Sequence, residues 1–405
     1  MKGERKTAPV IRFNGFSDAW EQRKLDSIFK KIRNAFVGTA TPYYVYSGHF
    51  YLESNNIKNG EINRNIEVFI NDEFYNKQSN KLLHTDDIVM VQSGHVGHTA
   101  VIPEELDGTA AHALIMFTDY KDETNPYFLN YQFQTHKSKR KLDTITTGNT
   151  IKHILSSEMK EFIVECPSVE EQQKIGTFFK QLDNTIALHQ RKLESLKLMK
   201  KGFLQQMFPK KGEKVPRLRF ADFEESWEQR KLGEIFTERT ERSDKGELIS
   251  VTINSGIVKA SELERKDNSS SNKANYKVVK KGDIAYNSMR MWQGASGCSF
   301  YAGILSPAYT VISPKEDIDP NFMSYMFKKH EMMHIFQRNS QGLTSDTWNL
   351  KFPSLSTIKV KIPPYEEQVR IANLLQNTEN IINFQQNKIS QLQVLKKAHL
   401  QNMFI

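Results

Sequence analysis

The chain has 405 residues, too many for one hydrophobic core, so two or more domains are expected. Hydrophobic residues make up 38% and charged residues 25%, which excludes a disordered or fibrous chain and fits a globular one. Lys and Arg outnumber Asp and Glu by 56 to 47, a net +9 that suits a polyanionic partner without identifying one. Two cysteines, Cys166 and Cys298, are too few for a disulfide framework or a thiolate metal cluster and fit buried thiols in a reducing cytoplasm. The charged start MKGERKTAPVIRF lacks the apolar region of a signal peptide, and no run approaches 18 apolar residues. A cytoplasmic protein without a membrane span is expected.

In chain order, the first element is a short motif, WEQRKL at 20–25, set among Phe13, Phe16, Ile28 and Phe29. A body of about 140 residues follows. It reads as short strands and loops: FYLES, IEVFI, DIVMVQSGHVGHTAVI (87–102) and HALIMFTDY. Asn125-Pro126 then opens a helix, since Asn at the N-cap with Pro after it is a standard start. The stretch 136–153 reads as a polar, basic loop containing TTGNT, and a last apolar strand runs to Pro167.

From Ile175 apolar residues recur every three and four positions. One seam position holds Ile175, Leu182, His189, Leu196 and Phe203; the other holds Phe179, Ile186, Leu193, Lys200 and Met207. Glu170 and Glu171 suit the positive end of such a helix, and Lys200 and Lys201 the negative end. At 1.5 Å per residue, about 38 residues give a rod of about 57 Å, well over one turn of duplex DNA. The segment 209–220, with two prolines and a basic run, reads as a linker.

Beyond it the layout repeats. WEQRKL recurs letter for letter at 227–232, with Phe220, Phe223, Ile235 and Phe236 matching the first copy. The second body contains ELISVTI, KVVKKGDIAYNSMRMWQGASGCSF (277–300), SPAYTVISP, a helix opened by Asp319-Pro320, and the loop SQGLTSD at 340–346. Gly94 and Gly97 match Gly294 and Gly297 loosely. Glu366, Glu367, Gln368, Arg370 and Ile371 repeat Glu170, Glu171, Gln172, Lys174 and Ile175. The second seam runs through Ile371, Thr378, Gln385, Leu392 and His399, with Leu375, Ile382, Ile389, Lys396 and Met403 beside it; Lys396 and Lys397 repeat the lysine pair. His189 and Gln385 share one seam position, where a buried polar residue fixes register and a partly exposed one does not.

A repeat unit near 200 residues is a duplicated domain rather than a solenoid. The bodies share a plan and few surface residues, which suggests two copies reading different things. Were the polyanionic partner a nucleic acid, the residue types suited to base edges would be Arg, Asn, Gln and small polar groups on Gly-punctuated loops, which make discriminating hydrogen bonds. The candidates are Gln92, Ser93 and His95 in the first body and Arg290, Gln293, Arg338 and Gln341 in the second. Lys137, Lys139 and Arg140 are candidates for phosphate contact. Asn125-Pro126-Tyr127-Phe128 approaches an amino-methyltransferase motif but lacks its second proline, and Asp319-Pro320-Asn321-Phe322 lacks the aromatic third residue, so helix capping explains both. His95 and His98 have no further ligands nearby for a metal. Neither a cofactor-binding Gly-rich loop nor a phosphate loop is present in the sequence.

The ordered, duplicated set resembles the specificity subunit of type I restriction–modification systems. WEQRKL heads each half; Asp86-Asp87-Ile88 and Gly282-Asp283-Ile284 lead into a strand; Pro167-Ser168-Val169-Glu170-Glu171-Gln172 and Pro363-Pro364-Tyr365-Glu366-Glu367-Gln368 open the helices. Asp86 stands where the second copy has Gly, and Cys166-Pro167-Ser168 replaces a double proline. The resemblance implies an α+β fold: two tandem mixed α/β target-recognition domains (1–166 and 211–362), each followed by a helical spacer (167–210 and 363–405), the helices pairing as an antiparallel coiled coil with pseudo-twofold symmetry. It implies a non-catalytic DNA-reading subunit, one recognition domain per half of an interrupted double-stranded site. Ile175, Leu182, Ile186, Leu193, Ile371, Ile382, Ile389 and Leu392 would form the seam and the docking surface for two modification subunits. Those would carry S-adenosylmethionine, and restriction subunits would carry ATP and Mg; this chain would hold no cofactor or metal.

Overall fold

A computed structural model describes residues 8–148, 152–210, 212–263, 269–270 and 272–405. It divides into two compact units, Met1–Gln190 with Asn387–Ile405, and Arg191–Gln386. The sequence division gave each long helix to its own half. In the structure each long helix is instead shared, its beginning in one unit and its end in the other.

The frame of each unit is zipped together by its WEQRKL motif. Glu21–Lys24 forms a strand paired antiparallel with Ile163–Cys166, the strand that leads into the first long helix. Glu228–Lys231 pairs in the same way with Lys359–Ile362. Next to this ribbon lies a four-stranded antiparallel sheet of one topology in both units. Its order is Phe29–Asn34, Leu114–Tyr120, Ile88–Val91, Thr99–Val101 in the first, and Phe236–Glu238, Tyr309–Pro314, Ile284–Asn287, Ser296–Cys298 in the second. The central strands Leu114–Tyr120 and Ile88–Val91 read as apolar runs because both their faces are covered.

The turn before the second of these strands explains the Asp86/Gly282 difference. Both residues take a left-handed backbone, φ 70° and 91°, which Gly adopts freely and Asp more readily than most residues. The helices opened by Asn125 and Asp319 form as the cap signals predict: each side chain accepts a hydrogen bond from the backbone three residues on, Phe128 N at 2.9 Å and Phe322 N at 2.7 Å.

Each long helix has 38 residues, Val169–Gln206 and Tyr365–Asn402, about 57 Å at 1.5 Å per residue. Within the first unit the beginning of one runs antiparallel to the end of the other: Asp183 faces Lys396, Phe178 faces His399 and Phe179 faces Phe404. Within the second, Glu379 meets Lys200. The heptad seam is buried at Ile175, Leu182, Ile186, Ile371, Ile382 and Ile389, and half-buried at Leu193 and Leu392. Gln385 is buried and His189 half-buried.

The bodies differ. The first adds a second sheet, in the order Ala110–Ala111, His49–Leu52, Phe69–Ile70, Tyr44–Val45, over a cluster of Tyr51, Ile70 and Phe74. The second has instead a hairpin, Ile249–Thr252 with Gly256–Lys259, and a pair of strands distant in the chain, Lys277–Val279 with Gly303–Leu305. The stretch read as a basic loop from 136 is a helix, His136–Ile145, capped by Thr135, with Ser138 and Leu142 turned inward. Its apolar stripe is too sparse to show in the sequence. A second helix, His330–Asn339, buries Met332 and Phe336 and places Arg338 in its last turn.

Candidate nucleic-acid interface

The duplicated motifs form the scaffold that positions the loops. Arg12 makes two charge-assisted hydrogen bonds of 2.7 Å to Glu171, and Arg219 makes two, of 2.8 and 2.7 Å, to Glu367. Both carboxylates are fully buried, and each pairing raises the pKa of its arginine by hydrogen bonding to the anion. The following glutamine ties the long helix to the capped helix. Gln172 accepts from Asn125 N at 3.2 Å, and Gln368 from Asp319 N at 2.9 Å; their amides donate to Pro167 and Pro363 carbonyls. The Glu-Glu-Gln repeat is therefore a clamp.

An aromatic lock completes it. Trp20 meets Phe128 edge-on at 5.6 Å and Phe404 at 6.1 Å; Trp227 meets Phe322 at 5.7 Å and Phe208 at 6.1 Å. Phe404 lies two residues beyond the second long helix and Phe208 two beyond the first, so the repeated Met-Phe endings are plugs for the tryptophan pocket of the other repeat's domain. A third duplicated contact holds the seam. Asp183 accepts from Tyr131 Oη at 2.8 Å and binds Lys396 at 2.7 Å; Glu379 accepts from Tyr325 Oη at 2.7 Å and binds Lys200. Lys200 and Lys396 thus neutralise carboxylates on the facing helix, more than a turn before either helix ends. That replaces the dipole role read from their position near the C-terminus.

On this scaffold distant loops converge. In the first unit Gln92 and Ser93 meet the segment around His153: Ile154 N donates to Gln92 O at 2.9 Å, Gly94 N to Lys152 O at 3.2 Å, and Ser93 bridges to His153. His95 is exposed beside them, its ring 6.2 Å from that of His98. The end of the TTGNT motif, 149–150, lies outside the described residues. In the second unit Leu350 N donates to Ser288 O at 2.8 Å, and Trp348 packs edge-on against Trp292 at 5.2 Å. This brings Arg290 and Gln293 to the loop bearing Gln341, with the helix of Arg338 alongside. Arg290 has no side-chain partner among the described residues and lines a cleft of about 790 Å³ with Asn287, Met289 and Tyr309. Trp292 and Trp348 are the loop residues the sequence reading missed; an aromatic in each of two distant loops was the available signal.

The phosphate candidates separate. Lys137, itself exposed, binds the buried Glu165 at 2.8 Å, with Lys141 next to it at 3.4 Å, so its ammonium already has a carboxylate partner. Lys139 and Arg140 are exposed on the same helix and have no ion-pair partner among the described residues. The docking candidates also need correction: Ile175, Leu182, Ile186, Ile371, Ile382 and Ile389 are buried, so they offer no outward surface. Exposed apolar residues recur instead at three equivalent helix positions: Leu188 and Phe384, Leu198 and Val394, Met199 and Leu395. Among the described residues no group of His, Cys, Asp and Glu is arranged to hold a metal ion, and no helix is long and apolar enough to cross a membrane. Cys166 and Cys298 are buried free thiols whose pKa is pushed up to about 12 by desolvation.

The sequence profile described as "Type I restriction modification DNA specificity domain" matches residues 17–198 and 224–394. The chain belongs to this family. The two matched stretches are the two halves of the repeat, and the chain is a specificity subunit of a type I restriction–modification system. It is 21% identical over 402 residues to the type I restriction enzyme MjaVIII specificity subunit of Methanocaldococcus jannaschii, covering 93% of this chain and 90% of the relative. A 28% identity over 155 residues links it to the MjaIX specificity subunit of the same organism, covering 36% of this chain and 35% of the relative. The fold is similar to the crystal structure of a type I restriction–modification S subunit from M. genitalium, with a TM-score of 0.61 at 14% identity over 98% of this chain and 99% of that one.

Proposed function

We propose that each unit reads one half of an interrupted double-stranded DNA site, and that the two shared helices set the spacing between the halves. The observation that carries this is the contrast within each unit: clamp, lock and seam contacts recur residue for residue, while the converging loops do not. The reading surfaces are Gln92, Ser93 and His95 in the first unit and Arg290, Gln293, Gln341 and Arg338 in the second, with Lys139 and Arg140 on phosphate. Phosphate contacts make the affinity salt-dependent.

The chain performs no chemistry of its own in this reading. Two modification subunits dock on the outward apolar positions, Leu188 with Val394 and Leu395 in the first unit, and Phe384 with Leu198 and Met199 in the second; the equivalence of the two sets supports two copies of one partner. Those subunits bring S-adenosylmethionine, restriction subunits bring ATP and Mg, and the assembly works in the cytoplasm.

The test is methylation mapping of DNA after expression of the chain with and without its modification subunit. The expected result is adenine methylation at a two-part site with the partner and none without it. A continuous short motif, or methylation by the chain alone, contradicts the reading.

A further inference from the structure

Two side chains stand apart from every other large apolar group among the described residues. Tyr46 and Leu343 are fully exposed; the next, Leu198, is 69% exposed and lies on a long helix. Single apolar residues on a surface ordinarily need no explanation. These two differ because each is held out on a turn packed or hydrogen-bonded through its own backbone.

Tyr46 sits between the strands Tyr44–Val45 and His49–Leu52, both paired to Phe69–Ile70. Gly48 lies so close to that middle strand that a Cβ there would be 2.4 Å from the Ile70 carbonyl oxygen. Beneath the turn Tyr43 stacks on Phe74 at 4.2 Å. Leu343 sits on a loop closed by reciprocal backbone bonds between Gln341 and Asn349, 3.0 and 2.8 Å, and by Thr347 N and Trp348 N donating to Thr344 O. Gly342 has φ +136°, and a Cβ there would be 2.5 Å from Thr347 O. The Trp348–Trp292 contact braces the loop against the turn bearing Arg290.

A rigid turn that presents an apolar tip to water forfeits the burial of that tip in the free protein. Ordering the tip in advance lowers the cost of using it in a complex. Among the described residues there is one such tip per body, at places the duplication does not relate: Tyr46 precedes Ile88–Val91 and Leu114–Tyr120 in the chain, whereas Leu343 follows their counterparts Ile284–Asn287 and Tyr309–Pro314. They belong to the part of each unit that differs, not to the frame.

We propose that Tyr46 and Leu343 are specificity-determining tips that make apolar contact with bases, one in each half-site. The proposal rests on the half-site reading above. Two contact chemistries suit such tips: packing on a thymine methyl group, or wedging between base steps.

The experiment uses the chain assembled with its modification subunits and a duplex carrying the site that the wild-type complex methylates. Tyr46→Ala and Leu343→Ala are each expected to lose roughly tenfold or more in affinity for that duplex. Each should tolerate base changes in one half-site only, different for the two variants, while assembly and binding to unrelated DNA stay unchanged. Tyr46→Phe and Leu343→Met should restore most of the affinity. Replacing a contacted thymine by uracil should weaken the wild type and not the Ala variant if a methyl group is met; a 2-aminopurine probe that brightens with wild type alone marks wedging. A wild type that selects a two-part site while both Ala variants match its affinity and selectivity overturns this proposal alone. A wild type without two-part selectivity overturns the half-site reading and this proposal with it.

Discussion

In the first unit Arg12 grips Glu171, Trp20 packs on Phe128 and Phe404, and Asp183 gathers Tyr131 and Lys396. In the second, Arg219 grips Glu367, Trp227 packs on Phe322 and Phe208, and Glu379 gathers Tyr325 and Lys200. The same contacts serve two bodies whose remaining sheets, turns and exposed tips are unlike. One frame thus carries two different bodies, because the partners named in the clamp, lock and seam lie on the duplicated elements.

The comparison is tested most severely at the locks. Trp20→Ala should destabilise the first unit, and Trp227→Ala the second, each by roughly 3–5 kcal/mol, the usual cost of emptying a buried aromatic site. Hydrogen exchange resolved by peptide should show the loss concentrated in the unit that holds the substitution. Equal loosening of both units by either variant would break the picture of two separately built frames.

Arg12→Ala and Arg219→Ala come next. Each leaves a fully buried carboxylate without its guanidinium, which costs roughly 3 kcal/mol. Adding Glu171→Gln or Glu367→Gln to the matching arginine variant should recover part of the loss in thermal melts. No recovery would mean that the arginine acts through packing rather than charge.

The buried aspartates sharpen the contrast. Asp283 is held by Arg239 through bonds of 2.6 and 2.8 Å. Its counterpart Asp87 accepts a backbone bond from His84 and has no ion-pair partner among the described residues; desolvation raises its pKa to about 6. An acid whose folded pKa lies above its unfolded value stabilises most when protonated. The first unit's stability from this group is therefore full below about pH 4 and lost as pH rises through about 6. Asp87→Asn should gain about 1–2 kcal/mol at pH 7 and flatten that dependence, while Asp283→Asn should lose roughly 2 kcal/mol by stranding Arg239. Exchange rates measured between pH 4 and 8 decide it; a loss for Asp87→Asn at pH 7 would contradict the assignment.

The smallest stability effect is expected for Lys139→Ala and Arg140→Ala, within about 0.5 kcal/mol because both side chains are exposed. They should still weaken DNA binding by the assembled complex and reduce its salt dependence. Unchanged salt dependence would remove this helix from the DNA surface.

The frame was largely legible in the sequence. Duplicated WEQRKL, the Glu-Glu-Gln openings, both capped helices and the heptad seams each mark an element by a local rule. Long-range partners were not: nothing local says that Phe404 plugs the pocket of Trp20, or that Lys396 reaches Asp183 rather than its own helix end. The helix His136–Ile145 looks like a loop in the sequence because its apolar stripe is short and its basic residues dominate the composition; one of them, Lys137, is the partner of buried Glu165. Among the candidate contacts, residue type pointed to Arg290, Gln293 and Gln341, which the fold brings to adjoining loops. It gave no hint of Tyr46 or Leu343, whose distinction is exposure on a closed turn, a property of the fold rather than of residue type.

The central claim is that one frame carries two independent readers. Replacing residues 30–160 with the equivalent body of another family member, followed by methylation mapping of the assembled complex, tests it most directly. The account predicts a new base sequence in one half-site, with the other half-site and the spacing between them unchanged. A change in both half-sites, or in the spacing, would contradict it.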